Sequence, residues 1–98
     1  MTNDNLEFLL TLENTIQGRL RGTTEDSYTA HLAAAGTKRI AQKVGEEAIE
    51  LALAAVAGDK QEMLDEAADL TYHLLVLLNA QDIHLADVIA VLESRHKN

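Results

Sequence analysis

An all-α domain of four to five helices is predicted from three features of the 98-residue chain. Proline is absent and aromatic residues make up only 3% of the sequence, while alanine, leucine and glutamate dominate, a composition that favours helix. No stretch alternates apolar and polar residues as a half-buried strand would. Apolar residues instead recur at helical spacing between punctuating glycines and side chains able to cap a helix. With 47% hydrophobic and 24% charged residues and no repeat or low-complexity tail, residues 1–98 are read as one folded domain.

The first helix is expected from about Asp4 to Leu20, capped by Asn3 or Asp4, with Leu6, Leu9, Leu10, Leu12 and Ile16 as its buried stripe. Gly18 and Gly22 bracket Arg19 and Arg21, so a flexible basic loop should follow and continue through Asp26. Ser27 can cap a short helix from Tyr28 to Ala35, ended by Gly36 in left-handed geometry. Thr37 would cap a long helix from Lys38 to about Ala57, closed by Gly58. Asp59 with Glu62 resembles a capping box and starts a third long helix reaching Asn79 or Ala80. Gln81 to His84 form a turn, His84 or Asp82 can cap the last helix, and that helix carries Leu85, Val88, Ile89 and Leu92 on one side. His31, His84 and His96 have no partner spacing and are given no role.

The third long helix is apolar nearly all round, from Leu64 through Leu70, Leu74, Leu75, Val76, Leu77 and Leu78. Such a helix must be surrounded, and four or five helices in so short a chain leave too little to surround it. A homodimer or higher oligomer centred on this helix is therefore expected.

The formal net charge of −8 argues against general nucleic-acid or anionic-membrane binding, which need a basic face. The longest apolar stretch, Leu74 to Leu78, falls far short of the roughly 20 residues of a membrane span. No basic region followed by an apolar run opens the chain, so no secretory signal is read and a cytoplasmic location is expected. The absence of cysteine excludes disulfides and thiolate metal sites.

The informative residues are Glu46, Glu47 and Glu50 on one long helix and Glu66 and Asp69 on the next. At about 100° per residue, Lys43, Glu46, Glu47 and Glu50 share one arc. A merely solvated face would stay polar along that arc, but Leu53, Ala54 and Ala57 occupy it further on. Glu66, Asp69 and His73 likewise sit beside Leu70 and Leu77. Two antiparallel helices joined near Gly58 would bring these faces together. Their carboxylates would repel unless some were protonated or a hard divalent cation bound them, and Mg²⁺ leaves room for phosphate oxygens. If repulsion dominates, Glu47→Gln should leave the metal-free melting temperature unchanged or higher.

Gly45 beside the acids allows close approach of a ligand or of another helix. Lys43 can pair with Glu47 at i,i+4 or reach a phosphate. Lys38 and Arg39 lie in a first helical turn, where the helix dipole disfavours cations, so a reason other than helix stability is expected, and anion binding is one. Arg19 and Arg21 could close over a phosphate from their loop. His73, four residues after Asp69, suits either a hydrogen bond to a ligating carboxylate or catalysis.

Glu-Glu-x-x-Glu at Glu46, Glu47 and Glu50, followed by Glu-x-x-Asp at Glu66 and Asp69, resembles the signature of the all-α nucleoside triphosphate pyrophosphohydrolases, the superfamily that includes MazG. The run SYTAHLAAAGTKRIAQKVGEEAIE from Ser27 to Glu50, and EAADLTYHLLVLL from Glu66 to Leu78, resemble phosphoribosyl-ATP pyrophosphohydrolase more specifically. His31 departs from that pattern, standing where the family often has lysine.

The resemblance implies a MazG-like helical bundle completed by dimerisation. It also implies Mg²⁺-dependent hydrolysis of phosphoribosyl-ATP to phosphoribosyl-AMP and pyrophosphate, the second step of histidine biosynthesis. Glu46, Glu47, Glu50 and Asp69 would hold metal, and Glu66 would be a further ligand or the base. Glu47, Glu50, Glu66 and Asp69 form the catalytic set. Lys38 and Lys43 would contact phosphate, Ser27, Tyr28 and Thr29 would bind substrate from the short helix, and Arg19 and His73 complete the substrate side. The chain resembles the stand-alone form, so a separate phosphoribosyl-AMP cyclohydrolase is expected to act next. The alternatives are a housekeeping pyrophosphohydrolase of free nucleotides, with the same metal site, and a non-enzymatic helical dimerisation module.

Overall fold

The computed structural model describes residues 4–22 and 27–97. It consists of five α-helices, with no strand among the described residues. They are α1 (Phe8–Arg21), α2 (Tyr28–Ala35), α3 (Thr37–Ala57), α4 (Lys60–Ala80) and α5 (Leu85–Arg95). No single helix among the described residues is long and apolar enough to cross a membrane.

The sequence places α1 differently at both ends. A tight 3₁₀ turn over Asp4–Glu7 precedes it, and Glu7 at its start makes no side-chain cap. Asn3, the other expected cap, lies outside the described residues. The expected basic loop is instead the last turn of α1, because the helix continues through Gly18 to Arg21. An interior glycine costs a helix only about 1 kcal/mol. Leu20 packs onto the core, and Arg19 and Arg21 sit where the helix dipole favours cations. Residues 23–26 of that loop lie outside the described residues.

Ser27 caps α2 as expected, its Oγ accepting from the Ala30 N–H at 2.9 Å. Gly36 has a positive φ of 100°, but its ψ of 169° is extended rather than left-handed helical. This single residue both ends α2 and opens α3. Thr37 is therefore the first residue of α3 and not its cap. Its hydroxyl accepts from Gln81 Nε2 at 3.0 Å, tying the start of α3 to the end of α4.

Gly58, at φ 75° and ψ 19°, makes the left-handed close of α3. Asp59 caps α4 by accepting from the Glu62 N–H at 3.1 Å. The Asp59 N–H itself donates back to the Ala54 carbonyl. With so short a turn, α3 and α4 form an antiparallel hairpin that dominates the molecule.

Ile16, Leu32, Ile40, Leu75 and Val76 form the core, flanked by Leu9, Leu12, Leu20, Tyr72, Leu77, Ala80 and Leu85. These residues gather at the end of the hairpin away from Gly58. Of the stripe expected on α1, Ile16 is buried and Leu9 and Leu12 are partly so, but Leu6 and Leu10 are exposed. Beyond His84, α5 leaves α4 at a bend of 103° and buries none of its residues. The half of the hairpin nearer the turn is bare: Ile49 and Leu53 are each 63% exposed, Leu64 66% and Val56 88%.

Candidate active site

The acids lie midway along the hairpin, between the packed base and the bare tip. Glu47 on α3 is buried, although no neighbouring arginine neutralises it. Its Oε1 accepts from His73 Nδ1 of α4 at 2.6 Å, and its Oε2 stands 4.0 Å from Lys43 Nζ. His73 Nδ1 also lies 3.0 Å from the Asp69 main-chain carbonyl, so the i,i+4 partner suggested by the sequence is the backbone of Asp69. At the other side of the ring, Nε2 lies 2.7 Å from the hydroxyl of Tyr28 of α2.

Glu66 is only partly shielded from solvent. Desolvation, a hydrogen bond with Glu62 and the charges of Glu50, Glu62 and Asp69 push its carboxyl up to about 6, from an ordinary value of 4.5. Glu50 and Glu66 come from opposite sides of the turn, so charge on α3 reaches a carboxyl on α4. Glu62 joins the cluster as well. The sequence marks Glu62 as a capping partner of Asp59, and its place one turn before Glu66 is the signal for this second role.

Glu46 is exposed on a different side, where its Oε2 accepts from Gln42 Nε2 at 3.0 Å. Lys43 is half-buried beside Glu47, and Lys38, Arg39 and Arg19 are exposed. Ser27 is engaged in capping α2, and Thr29 is fully buried with its hydroxyl bonded to that of Tyr72. Tyr28 remains half open to solvent.

Among the described residues, no three acidic or histidine side chains converge closely enough, as they stand, to hold a metal ion. The donor set suits a hard divalent cation nonetheless. Glu50, Glu66 and Asp69 supply oxygen only, and the charges of Glu50 and Asp69 add to desolvation in pushing the Glu66 carboxyl upward.

A second polar cluster was missed by sequence reasoning. Glu13 of α1 is buried, and its Oε2 accepts from Asn79 Nδ2 at 2.9 Å and from the Leu85 N–H at 2.7 Å. Gln17 Nε2 donates to Asn79 Oδ1 at 2.9 Å and lies equally close to His84 Nδ1. His84, assigned no role from spacing, therefore joins the junction of α1, α4 and α5, and its N–H is held by Asp87 Oδ2 at 2.9 Å. The available signal was an acid inside an apolar stripe: Glu13 lies four residues after Leu9 and three before Ile16.

Five helices, with Glu47, Glu50, Glu66 and Asp69 carried on the two long ones, define an all-α protein with acids along its central hairpin. Residues 9–96 match the family described as Phosphoribosyl-ATP pyrophosphohydrolase, and the chain belongs to that family. It is 58% identical over 86 residues to a protein of Vibrio cholerae serotype O1 named histidine biosynthesis bifunctional protein HisIE, covering 88% of this chain and 41% of the relative. A protein of the same name from Photobacterium profundum is 55% identical over 91 residues, covering 93% of this chain and 44% of the relative. Another, from Campylobacter jejuni, is 53% identical over 95 residues, covering 97% and 46%. The chain thus spans less than half the length of these curated relatives.

Proposed function

We propose that the chain hydrolyses phosphoribosyl-ATP to phosphoribosyl-AMP and pyrophosphate within histidine biosynthesis, using Mg²⁺. The observation that carries this reading is the set of facing carboxylates on α3 and α4 in a chain of this family. Glu47, Glu50, Glu66 and Asp69 would hold the cation, and Glu46, turned toward Gln42, would take a more distant part. Bound Mg²⁺ supplies neutralisation of phosphate charge, activation of water and stabilisation of the pyrophosphate leaving group. Lys43, 4.0 Å from Glu47, would meet a phosphate oxygen, with Lys38 and Arg19 as outlying cations. The half-open ring of Tyr28 offers a surface to the substrate base, and His73 supports it from behind. Ser27 and Thr29 contribute by holding α2 in place.

The proposal includes a cytoplasmic setting and a phosphoribosyl-AMP cyclohydrolase that consumes the product. It also includes a homodimer or higher oligomer that covers the tip of the hairpin. The bare side chains of Ile49, Leu53, Val56 and Leu64, with the open apolar hollow formed by Leu51, Met63 and Ala67, support that assembly. Sedimentation should show an oligomer for the wild type and a smaller species for Leu53→Asp. A wild-type monomer at micromolar concentration rules the assembly out.

The activity is tested by pyrophosphate release with Mg²⁺, comparing phosphoribosyl-ATP with ordinary and deoxynucleoside triphosphates. A strong preference for phosphoribosyl-ATP, abolished by EDTA, is expected. Preference for free triphosphates would make the chain a housekeeping enzyme, and no release from any of them would restore the binding-module reading.

A further inference from the structure

We infer that Tyr28 and His73 form a positioning relay which fixes the Glu47 carboxylate, reserving Oε1 for the protein and leaving Oε2 for a bound cation. The inference rests on the reading of the acidic face as a cation site. His73 Nδ1 faces two acceptors, Glu47 Oε1 at 2.6 Å and the Asp69 carbonyl at 3.0 Å, so this nitrogen carries the hydrogen. In the neutral ring Nε2 is then an acceptor, and the Tyr28 hydroxyl, 2.7 Å away, donates to it. The chain of donors runs from α2 through α4 to α3 in one direction.

The imidazole is also clamped by its neighbours. Tyr28 meets it edge to face with ring centres 5.5 Å apart, and Tyr72 does so at 5.4 Å. Ring tilt, tautomer and both nitrogens are thereby determined. The Glu47 side chain loses its rotational freedom before any ligand arrives. Its Oε2 accepts no hydrogen bond among the described residues, and the nearest cation is Lys43 at 4.0 Å.

Packing alone does not call for this arrangement, because an apolar pair would fill the same space without the cost of burying a carboxylate. Groups that orient metal-ligating side chains in this way commonly alter metal affinity or activity about 10–100-fold when removed. Tyr28 and His73 are positioning residues in this account, since they act through Glu47.

The test uses the full chain and Mn²⁺ as the probe for a hard divalent cation. In ¹⁵N-histidine-labelled, metal-free protein, His73 should show a protonated Nδ1 and an acceptor Nε2, and the Nε2 resonance should move in Tyr28→Phe. His73→Leu should weaken Mn²⁺ binding by about 10–100-fold. His73→Asn, whose amide can donate from nearly the Nδ1 position, should recover most of that loss. Tyr28→Phe removes one half-exposed hydroxyl and should weaken binding by less than His73→Leu does. It carries the test if the leucine variant does not fold. Wild-type affinity in Tyr28→Phe and His73→Leu, alongside weakened binding in Glu50→Gln, would overturn the relay and leave the cation site standing. Failure of the wild type to bind Mn²⁺ would instead overturn the reading of the acidic face, and the relay with it.

Discussion

Glu13 and Glu66 are both glutamates set among leucines on helices, yet their surroundings are opposite in kind. Glu13 is buried and meets only donors: the Asn79 amide and the N–H that opens α5. Its charge lies at a helix N-terminus, where the dipole favours an anion. Glu66 is more open and its polar neighbours are acids, and desolvation together with those acids pushes its carboxyl up to about 6. A carboxylate whose lone pairs are matched by the fold contributes to the fold. One that other carboxylates oppose costs stability, and a cation from outside the chain relieves that cost. Glu47 stands between these cases, with one oxygen matched by His73 and the other left open.

The largest effect on stability should come from breaking the matched side of this comparison. Glu13→Ala leaves Asn79 and the Leu85 N–H without their shared acceptor inside the α1–α4–α5 junction. Buried groups deprived of a partner cost about 1–3 kcal/mol. For a chain of this size, about 2 kcal/mol lowers Tm by roughly 10 °C. Thermal denaturation at fixed protein concentration checks this, and catalytic constants measured well below the new Tm should change little. A Tm unmoved by Glu13→Ala would remove the junction from the account of how α5 is held.

The same contrast explains what was legible in the sequence. The two long helices were readable because Gly58 and Asp59 are local signals that the fold obeys, and so was the Ser27 cap. The acids of α3 and α4 were readable because they interrupt apolar faces in a fixed pattern. The junction was not, because Glu13 and Gln17 are far in sequence from Asn79 and His84 and meet them only when α1 crosses the end of α4. Thr37 illustrates the same limit. It looks like a cap, but Gly36 takes that place and the Thr37 hydroxyl serves Gln81 across the hairpin. His73 was read against Asp69 on its own helix, whereas its strongest partner, Glu47, lies on another.

A smaller effect should come from relieving the opposed side. The sequence-based expectation for Glu47→Gln, an unchanged or higher metal-free Tm, belongs more naturally to Glu66, because Glu47 has a partner to lose and Glu66 has repulsion to shed. The folded chain holds the Glu66 proton to about 6, against 4.5 for the ordinary carboxyl, so between these values the folded state binds more protons than the unfolded one. Stability must therefore fall as pH rises through that window, and the penalty is complete above it. In EDTA, Glu66→Gln should match the wild type near the low end of the window and exceed it in Tm by a few degrees at neutral pH. The size of that gap depends on screening by solvent and salt, so it should shrink at high ionic strength. A gap that stays constant with pH would show that the variant acts through packing and not through the charge of Glu66. A gap that vanishes when Mg²⁺ replaces EDTA would show the cation relieving the same repulsion that the substitution removes.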